Sequence, residues 1–249
     1  MPRALALETS GRQGSVALAE DGVVVAEETF SHGLQHAANL LPMIDRLTVA
    51  RGWTPASIDH VYVSVGPGSF TGLRVGVTLA KTLAFATGAK IVAVPSTRVL
   101  LANAPAEATE VVIVLDAKRG QIFTARFARP NVDSNVDAAA GAGAPDADWT
   151  EIEPAHLDTL AAVLARSRRP VHLIGEGLPY HRDAIPPGEP NVIVTPDTAW
   201  QAHARHVATL GTRAAANGDF ADPFTLTPLY VRLPEPEEKR LAAEAAARG

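Results

Sequence analysis

The stretch SVGPGSFTGLRVGVTLAKTLAF (64–85) decides the fold. It predicts a strand that ends in a Gly-Pro-Gly turn, followed directly by a helix. Glycines at 66, 68 and 72 permit a tight turn and a close backbone approach. The free amides at the start of such a helix favour a negative charge. The pattern favours a structural turn, with a phosphate site as the alternative.

Three common site motifs do not match this stretch. No Gly-Lys-Ser/Thr follows, which excludes a Walker A loop, and the third glycine falls at 72 where the dinucleotide-binding spacing needs 71. Pro67 stands where the nucleophile elbow of a serine hydrolase would need glycine. The turn therefore does not by itself indicate a catalytic site.

The helix predicted at Phe70–Phe85 has more apolar surface than one sheet can cover. Its polar residues share one arc of about 100°, and all its other residues are apolar or glycine. A helix that covers one sheet face needs an apolar stripe of only about 100°. We therefore expect contacts on two sides of this helix. The polar residues are Thr71, Arg74, Thr78, Lys81 and Thr82.

The helix predicted at Leu34–Val49 repeats this surplus, with apolar residues over about 200° of its circumference. Exposed apolar patches of that size usually mark association, so the two helices favour an interface with another chain. The alternative is that the chain's own second domain covers them. The residues predicted at the interface are Leu34, Ala37, Leu40, Leu41, Ile44, Phe70, Leu73 and Arg74.

Composition narrows the class of protein. The 249 residues are 47% hydrophobic and 20% charged, which suits one large or two small globular domains. No apolar window of 18 residues or more occurs, and MPRALALETS runs directly into a predicted strand, so we expect a cytoplasmic protein with no membrane contact. The absence of cysteine excludes disulfides and thiolate chemistry, and a net charge of −5 argues against independent binding of nucleic acid.

The predicted elements form two series that each begin with neighbouring strands. Residues 1–105 read as three strands, a helix, a strand, a helix and a strand, and residues 106–232 as a hairpin around Asp116–Gly120 followed by further strands and helices. The second series contains helices at 156–169 and 198–216 and ends in a strand at 228–234. An Ala/Gly/Asp/Pro-biased loop at 130–148 and a tail at 233–249 complete the chain. The two series suggest a duplicated actin-like (ASKHA, ribonuclease H-like) α/β fold with two βββαβα-type halves, the second reduced.

The chain resembles the TsaB (YeaZ) family, whose members assist TsaD in making the threonylcarbamoyladenosine of tRNA. The element GPGSFTGLRVG (66–76), at this distance from the N-terminus, is the most specific part of that resemblance. The matching segments are LALETSGRQGSVAL (5–18), HAANLLPMIDRL (36–47), SVGPGSFTGLRVGVTLAKTLA (64–84), VAVPST (92–97), VLDAKRGQIFTARF (114–127), LIGEG (173–177) and PLYVR (228–232).

The resemblance implies a non-catalytic scaffold or activating subunit that docks on a TsaD-like transferase. The enzyme of the wider family carries two metal-binding histidines four residues apart, and here those positions are Ser96 and Leu100. We therefore expect no intrinsic cofactor, with ATP/ADP and metal on the partner proteins. The complex would make N6-threonylcarbamoyladenosine at position 37 of tRNAs that read ANN codons. A TsaE-like ATPase would belong to the same complex, and this chain would reach tRNA only indirectly, through the complex. When alone, the chain could form a homodimer.

Other polar residues suggest further candidate sites, and two alternative functions stay open. A vestigial phosphate hairpin is predicted at Glu8, Ser10, Asp116 and Arg119, where the two carboxylates support turns rather than metal-bound phosphate. An independent ATP-using enzyme of the actin-like fold and a metalloprotease are the alternative functions. The pairs His32–His36 and His203–His206 have metal-ligand spacing, but a helix start and a solvated helix face are favoured for them.

Overall fold

The computed structural model describes residues 2–31, 36–129 and 149–232. The first half of the chain forms a five-stranded sheet in the order β3-β2-β1-β4-β5. The first three strands form an antiparallel meander, and the last two run parallel to β1. The strands are β1 (Arg3–Glu8), β2 (Gln13–Glu20), β3 (Val23–Ser31), β4 (His60–Gly66) and β5 (Lys90–Pro95), and the helices are α1 (His36–Ala50), α2 (Phe70–Thr87) and α3 (Ser96–Leu101).

The second half repeats this strand order. Strand β8 lies between β9 on one side and β6 with β7 on the other, and β6 pairs in parallel with β10, which pairs in parallel with β11. The order β9-β8-β6-β10-β11 thus matches β3-β2-β1-β4-β5 and confirms the duplicated actin-like fold. The strands are β6 (Glu110–Ile113), β7 (Leu115–Asp116), β8 (Ile122–Ala128), β9 (Thr150–Asp158), β10 (Val171–Ile174) and β11 (Val192–Val194), and the helices are α4 (Leu160–Arg166) and α5 (Ala204–Ala216).

The crossover after β10 is where the second half is reduced. Two 3-10 turns, Leu178–Tyr180 and Arg182–Ala184, stand between β10 and β11 where the first half has the 18-residue helix α2. This shorter crossover leaves α2 with no counterpart in the second half.

Helices and sheets alternate in layers because successive residues of each strand face opposite sides. Leu5 and Leu7 of β1 pack with α1 and α2, whereas Ala4 and Ala6 face α3, α5 and the second sheet. The small alanines let α5 approach the first sheet closely. Gly211 of α5 lies so near Tyr62 that an added Cβ would be 2.3 Å from its ring. Helix α5 is thus packed between the two sheets, while α4 covers the outer face of the second sheet.

Four predicted features differ in the structure. The predicted helix at 156–169 begins later, because His156–Asp158 pair with β8 as the end of β9 and the Thr159 side chain caps α4. The predicted helix at 198–216 begins at Ala204 after a separate 3-10 turn, Asp197–Ala199. The predicted strand at 228–234 is irregular as far as Arg232, although the Leu229 amide donates to the Val65 carbonyl.

The histidines near the start of α5 are the fourth feature that differs from its prediction. His203 precedes the helix and His206 lies on it, so the packing of α5 between the sheets overturns the predicted solvated face. Burial lowers the pKa of His206 to about 4, and its Nε2 lies 3.0 Å from Asn103 Oδ1. The predicted loop at 130–148 and tail at 233–249 lie outside the described residues. Within the described ranges, no helix is long and apolar enough to span a membrane.

Candidate functional site

The α1–α2 groove is an apolar surface between the two outer helices of the first half. It has a volume of about 380 Å³. Leu41 is 55% exposed in this groove, and Val75 and Leu79 beside it are half-buried. The groove therefore presents aliphatic side chains to solvent at the centre of the predicted interface. Its lining residues are Leu40, Leu41, Arg74, Val75, Thr78, Leu79 and Thr82.

The structure divides the predicted interface residues into two groups. Ile44 and Leu73 are buried inside the chain, so their prediction as partner contacts is corrected: they pack in the first half's own core. Leu40 is buried as well, but it lines the base of the groove. Leu41 and Phe70 are exposed, and so is Arg74. Leu34 lies outside the described residues, and the side chain of Ala37 lies outside them too.

One flank of α2 is covered by the C-terminal part of the same chain. The Phe85 and Phe224 rings meet edge to face with centroids 5.0 Å apart, and Lys81 Nζ donates to the Leu226 carbonyl at 3.1 Å. The Phe70 ring lies 5.3 Å from the ring of Tyr230. The chain therefore contacts this flank of its own helix, although Phe70 and Phe85 stay exposed there, and the groove lies beside it with Arg74 at the boundary.

The cleft between the two halves brings together three turns and the N-terminus of α2. Its volume is about 190 Å³. The turn between β1 and β2 faces the turn between β7 and β8, as the duplicated topology requires, with the start of α2 and the turn after β10 beside them. The lining residues are Ser10, Gly11, Arg12, Gly68, Ser69, Leu115, Asp116, Lys118 and Glu176.

The predicted phosphate-hairpin residues are only partly brought together. Ser10 and Asp116 line the cleft, but Arg119 does not, and Glu8 is buried beneath it. Glu8 Oε1 accepts hydrogen bonds of 2.6 Å from both the amide and the hydroxyl of Ser10. Burial nevertheless raises the pKa of Glu8, because these hydrogen bonds offset only part of the desolvation.

Asp116 is held within its own turn. Lys118 donates to it from its backbone amide at 3.0 Å and from Nζ at 2.5 Å, and His181 Nε2 lies 3.4 Å away. Burial alone would raise the pKa of Asp116, but the hydrogen bonds and charge of Lys118 hold it below its ordinary value. Lys118 and Arg119 both have positive φ, so the turn is tight and left-handed. These contacts agree with the interpretation that the carboxylates support turns.

Sequence reasoning missed Glu176, which connects the two halves. Its carboxylate accepts from the Arg12 amide, with Oε2 at 2.8 Å and Oε1 at 3.1 Å. Burial raises the pKa of Glu176, an effect that the hydrogen bonds from the first hairpin oppose. The only signal in the sequence is its position between two glycines, 175 and 177, directly after a strand.

The positions that would carry metal-binding histidines in the enzyme of the wider family have structural contacts here. Ser96 Oγ accepts from the Gly66 amide at 3.1 Å, and Leu100 is buried in the core between the two sheets. Among the described residues, no three or more histidine, aspartate or glutamate side chains come together as a metal site would need. His32 lies outside those residues, and the side chain of His36 does too.

Comparison with known proteins identifies one relative along nearly the whole chain and another along half of it. Residues 24–218 match the family model described as "TsaD: tRNA N6-adenosine threonylcarbamoyltransferase". The tRNA threonylcarbamoyladenosine biosynthesis protein TsaB of Bacillus subtilis is 31% identical over 252 aligned residues, which cover 96% of this chain and 98% of that protein. The Escherichia coli TsaB is 31% identical over 129 residues, 51% of this chain and 55% of that protein.

A solved structure agrees with the fold. YeaZ from Pseudomonas aeruginosa superposes with a TM-score of 0.72 at 23% identity, covering 92% of this chain and all of that one. At this identity the likeness concerns the fold alone. The match to the family model and the full-length similarity to the Bacillus protein carry the assignment: the chain belongs to the TsaB (YeaZ) family of tRNA threonylcarbamoyladenosine biosynthesis proteins.

Proposed function

We propose that this chain is a non-catalytic subunit of tRNA threonylcarbamoyladenosine biosynthesis that docks on a TsaD-like transferase through the α1–α2 groove and stabilises its active form. The observation that carries the docking surface is the exposure of Leu41 between Val75 and Leu79, in a groove lined mainly by aliphatic side chains. Family membership supports the role in tRNA threonylcarbamoyladenosine biosynthesis, and the exposed apolar groove supports this surface as the docking site.

The energetics of the groove suit a protein partner. Burying one exposed leucine contributes about 1.5–3 kcal/mol, and the half-buried neighbours add apolar area around it. At the rim, the Arg74 guanidinium lies 3.9 Å from the centre of the Phe70 ring, and its Nε donates to the Tyr230 hydroxyl at 3.0 Å. These contacts hold a cation in place beside an apolar centre. Such an arrangement is typical of protein interfaces, where arginine and aromatic residues are enriched.

The other components of the reaction belong to the partners in this proposal. The transferase would hold the metal and ATP/ADP, a TsaE-like ATPase would join the same complex, and tRNA would be reached through the complex in the cytoplasm. The net charge of −5 supports an indirect route to tRNA, because an acidic protein has a weak intrinsic attraction for phosphates.

Leu41→Glu tests the docking surface. It places a carboxylate at the centre of the groove, and an unpaired charge in an apolar interface weakens binding by about a hundredfold or more. Because Leu41 is exposed in the chain alone, we expect the melting temperature to be nearly unchanged. The measurements are capture of purified TsaD-like transferase and the yield of modified tRNA in a reconstituted mixture.

Val49→Glu is the matched control. Val49 is an exposed aliphatic residue on the same helix, 67% accessible and outside the groove. We expect it to retain capture and modification. Full activity of Leu41→Glu, or equal loss in both variants, would show that the docking surface is wrong.

The same surface can join two copies of the chain when the transferase is absent. An isologous contact lets one apolar patch cover itself. Light scattering at micromolar concentration should then give a dimer for the unmodified chain and a monomer for Leu41→Glu. A monomer in both cases would remove self-association from the proposal and leave docking on the transferase to be judged by capture.

A further inference from the structure

The turn between β1 and β2 has the form of an anion-binding site. Its Arg12 amide donates to both oxygens of the Glu176 carboxylate, and the next amide, that of Gln13, favours the charged form of the same carboxylate. Neighbouring amides that converge on one point form a concavity that binds anions. Gly11 leaves room for this approach, because an added Cβ there would lie only 3.2 Å from Glu176 Oε1.

The second half presents this carboxylate from a tightly anchored turn. The Gly177 amide donates to the Val114 carbonyl at 2.9 Å. Gly175 has φ +137°, and an added Cβ there would come within 2.3 Å of the same carbonyl oxygen. Only glycine allows the turn to lie this close to Val114, the residue that joins β6 to β7. Glu176 is thus fixed to one half of the molecule while its carboxylate binds the other.

Arg12 makes a reciprocal contact. Its guanidinium lies over the Tyr180 ring, 4.7 Å from the ring centre, and donates to the Tyr180 hydroxyl. The side chain of Arg12 therefore reaches from the first half to the second, while the side chain of Glu176 reaches from the second to the first. Together they connect the two halves across the mouth of the cleft.

We propose that the Ser10–Gln13 turn is a binding site for a phosphate-class anion and that the Glu176 carboxylate fills it from within, holding the two halves together. An actin-like fold implies a nucleotide phosphate in this cleft, but the residues present do not fit one. The amides that would bind it already have an anionic acceptor, and an incoming phosphate would face the charges of Glu176 and Asp116. In this chain the Glu176 carboxylate closes the cleft. The two halves therefore keep one relative arrangement, and so does the outer surface that other proteins contact.

Desolvation agrees with this interpretation. Burial raises the pKa of Glu176, because the charged carboxylate is less favourable in the cleft than in water. The amides of the turn are what favour its charged form there. Removing the carboxylate should leave those amides without an acceptor and open to an external anion.

Glu176→Ala tests the proposal with inorganic phosphate as the probe. Titration at constant ionic strength, followed through the backbone amide signals of the protein by NMR, should show saturable binding at least about tenfold tighter than in the unmodified chain. The Arg12 and Gln13 amides should show the largest changes. Largest changes elsewhere, or no gain over the unmodified chain, would overturn the proposal.

Asp116→Asn is the matched control, because it removes a negative charge from the same cleft and leaves Glu176 on its amides. It should not gain phosphate binding, and an equal gain would mean that general charge in the cleft explains the effect. If the alanine variant does not fold, Glu176→Gln is titrated instead. This neutral side chain of nearly the same size should still bind phosphate more tightly than glutamate does, and equal binding would overturn the proposal.

Discussion

The α1–α2 groove and the cleft between the halves are opposite kinds of surface, because one exposes apolar side chains and the other pairs polar groups within the chain. In the groove, Leu41 is left exposed beside other aliphatic side chains. In the cleft, Glu8 Oε1, Asp116 and Glu176 accept hydrogen bonds from the chain's own turns. An apolar surface is stabilised by covering it with a partner, whereas a self-satisfied polar cleft has little to offer a ligand. The difference supports the proposal that a partner binds this molecule on its helices and that its cleft is closed by its own side chains.

Helix α2 belongs to both regions. Its first turn lies on the β1–β2 hairpin, where Gly72 approaches the Thr9 carbonyl, and its middle contributes Val75 and Leu79 to the groove. Substitutions along this one helix therefore separate the two kinds of surface from each other and from the core.

The largest effect is expected from Val77→Glu. Val77 is 3% exposed and packs against the first sheet, so a carboxylate there would be buried without a partner, at a cost of several kcal/mol. We expect the variant to be unfolded or to melt far below the unmodified chain in circular dichroism.

Thr71→Glu is the control, since Thr71 is exposed in the first turn of the same helix, where a negative charge is favourable. A normal melting temperature for Val77→Glu would show that the side of α2 facing the sheet is no more sensitive to a charge than its exposed groove side.

Gly72→Ala should have the next largest effect. An added Cβ would lie 2.0 Å from the Thr9 carbonyl oxygen, so α2 and the hairpin must separate. The helix gains about 1 kcal/mol from losing glycine. Overpacking costs about 1–3 kcal/mol, and a contact this close to a backbone oxygen belongs at the upper end of that range, so we expect a net loss of about 2 kcal/mol in urea unfolding.

The control for this variant is Thr71→Ala, which changes the neighbouring exposed position without creating the contact. If Gly72→Ala were as stable as the control, the close junction between α2 and the cleft would not be a constraint on the fold.

The smallest effect is the pH dependence of Glu8. Burial raises its pKa above the ordinary value of 4.5 in the folded chain, so folding favours the protonated form. The contribution of Glu8 to the free energy of unfolding is therefore greatest below the ordinary pKa and is lost as pH rises through the raised one. The stability of Glu8→Gln relative to the unmodified chain should increase over that range in urea unfolding.

Glu20→Gln should give the opposite sign. The pKa of Glu20 is lowered, because hydrogen bonds from Arg51, Trp53 and Arg3 outweigh its desolvation. The contribution of Glu20 is present above its ordinary pKa and lost as pH falls, so its removal should matter most at neutral pH. The same pH trend in both variants would show that burial does not raise the pKa of Glu8.

Particular elements show how far the sequence could be interpreted. The period of the apolar residues placed α2 within two residues of its observed end and put Val77 on the side that faces the sheet. The same rule misplaced Ile44 and Leu73, because a wide apolar arc does not tell which part faces the chain's own sheet and which faces solvent. It also missed β9, whose polar residues are held in a strand by pairing with β8.

The sequence by itself determined the duplicated α/β fold, the position of the glycine turn before α2, the surplus of apolar surface on the two outer helices and the family to which the chain belongs. These features depend on local periodicity, turn chemistry and motif spacing, which are properties of neighbouring residues. Only the tertiary structure decided that Leu41 is exposed, that α5 lies between the sheets and that Glu176 binds the turn at Arg12. Each of these contacts joins residues far apart along the chain, and their meeting depends on how the two sheets and their helices pack together.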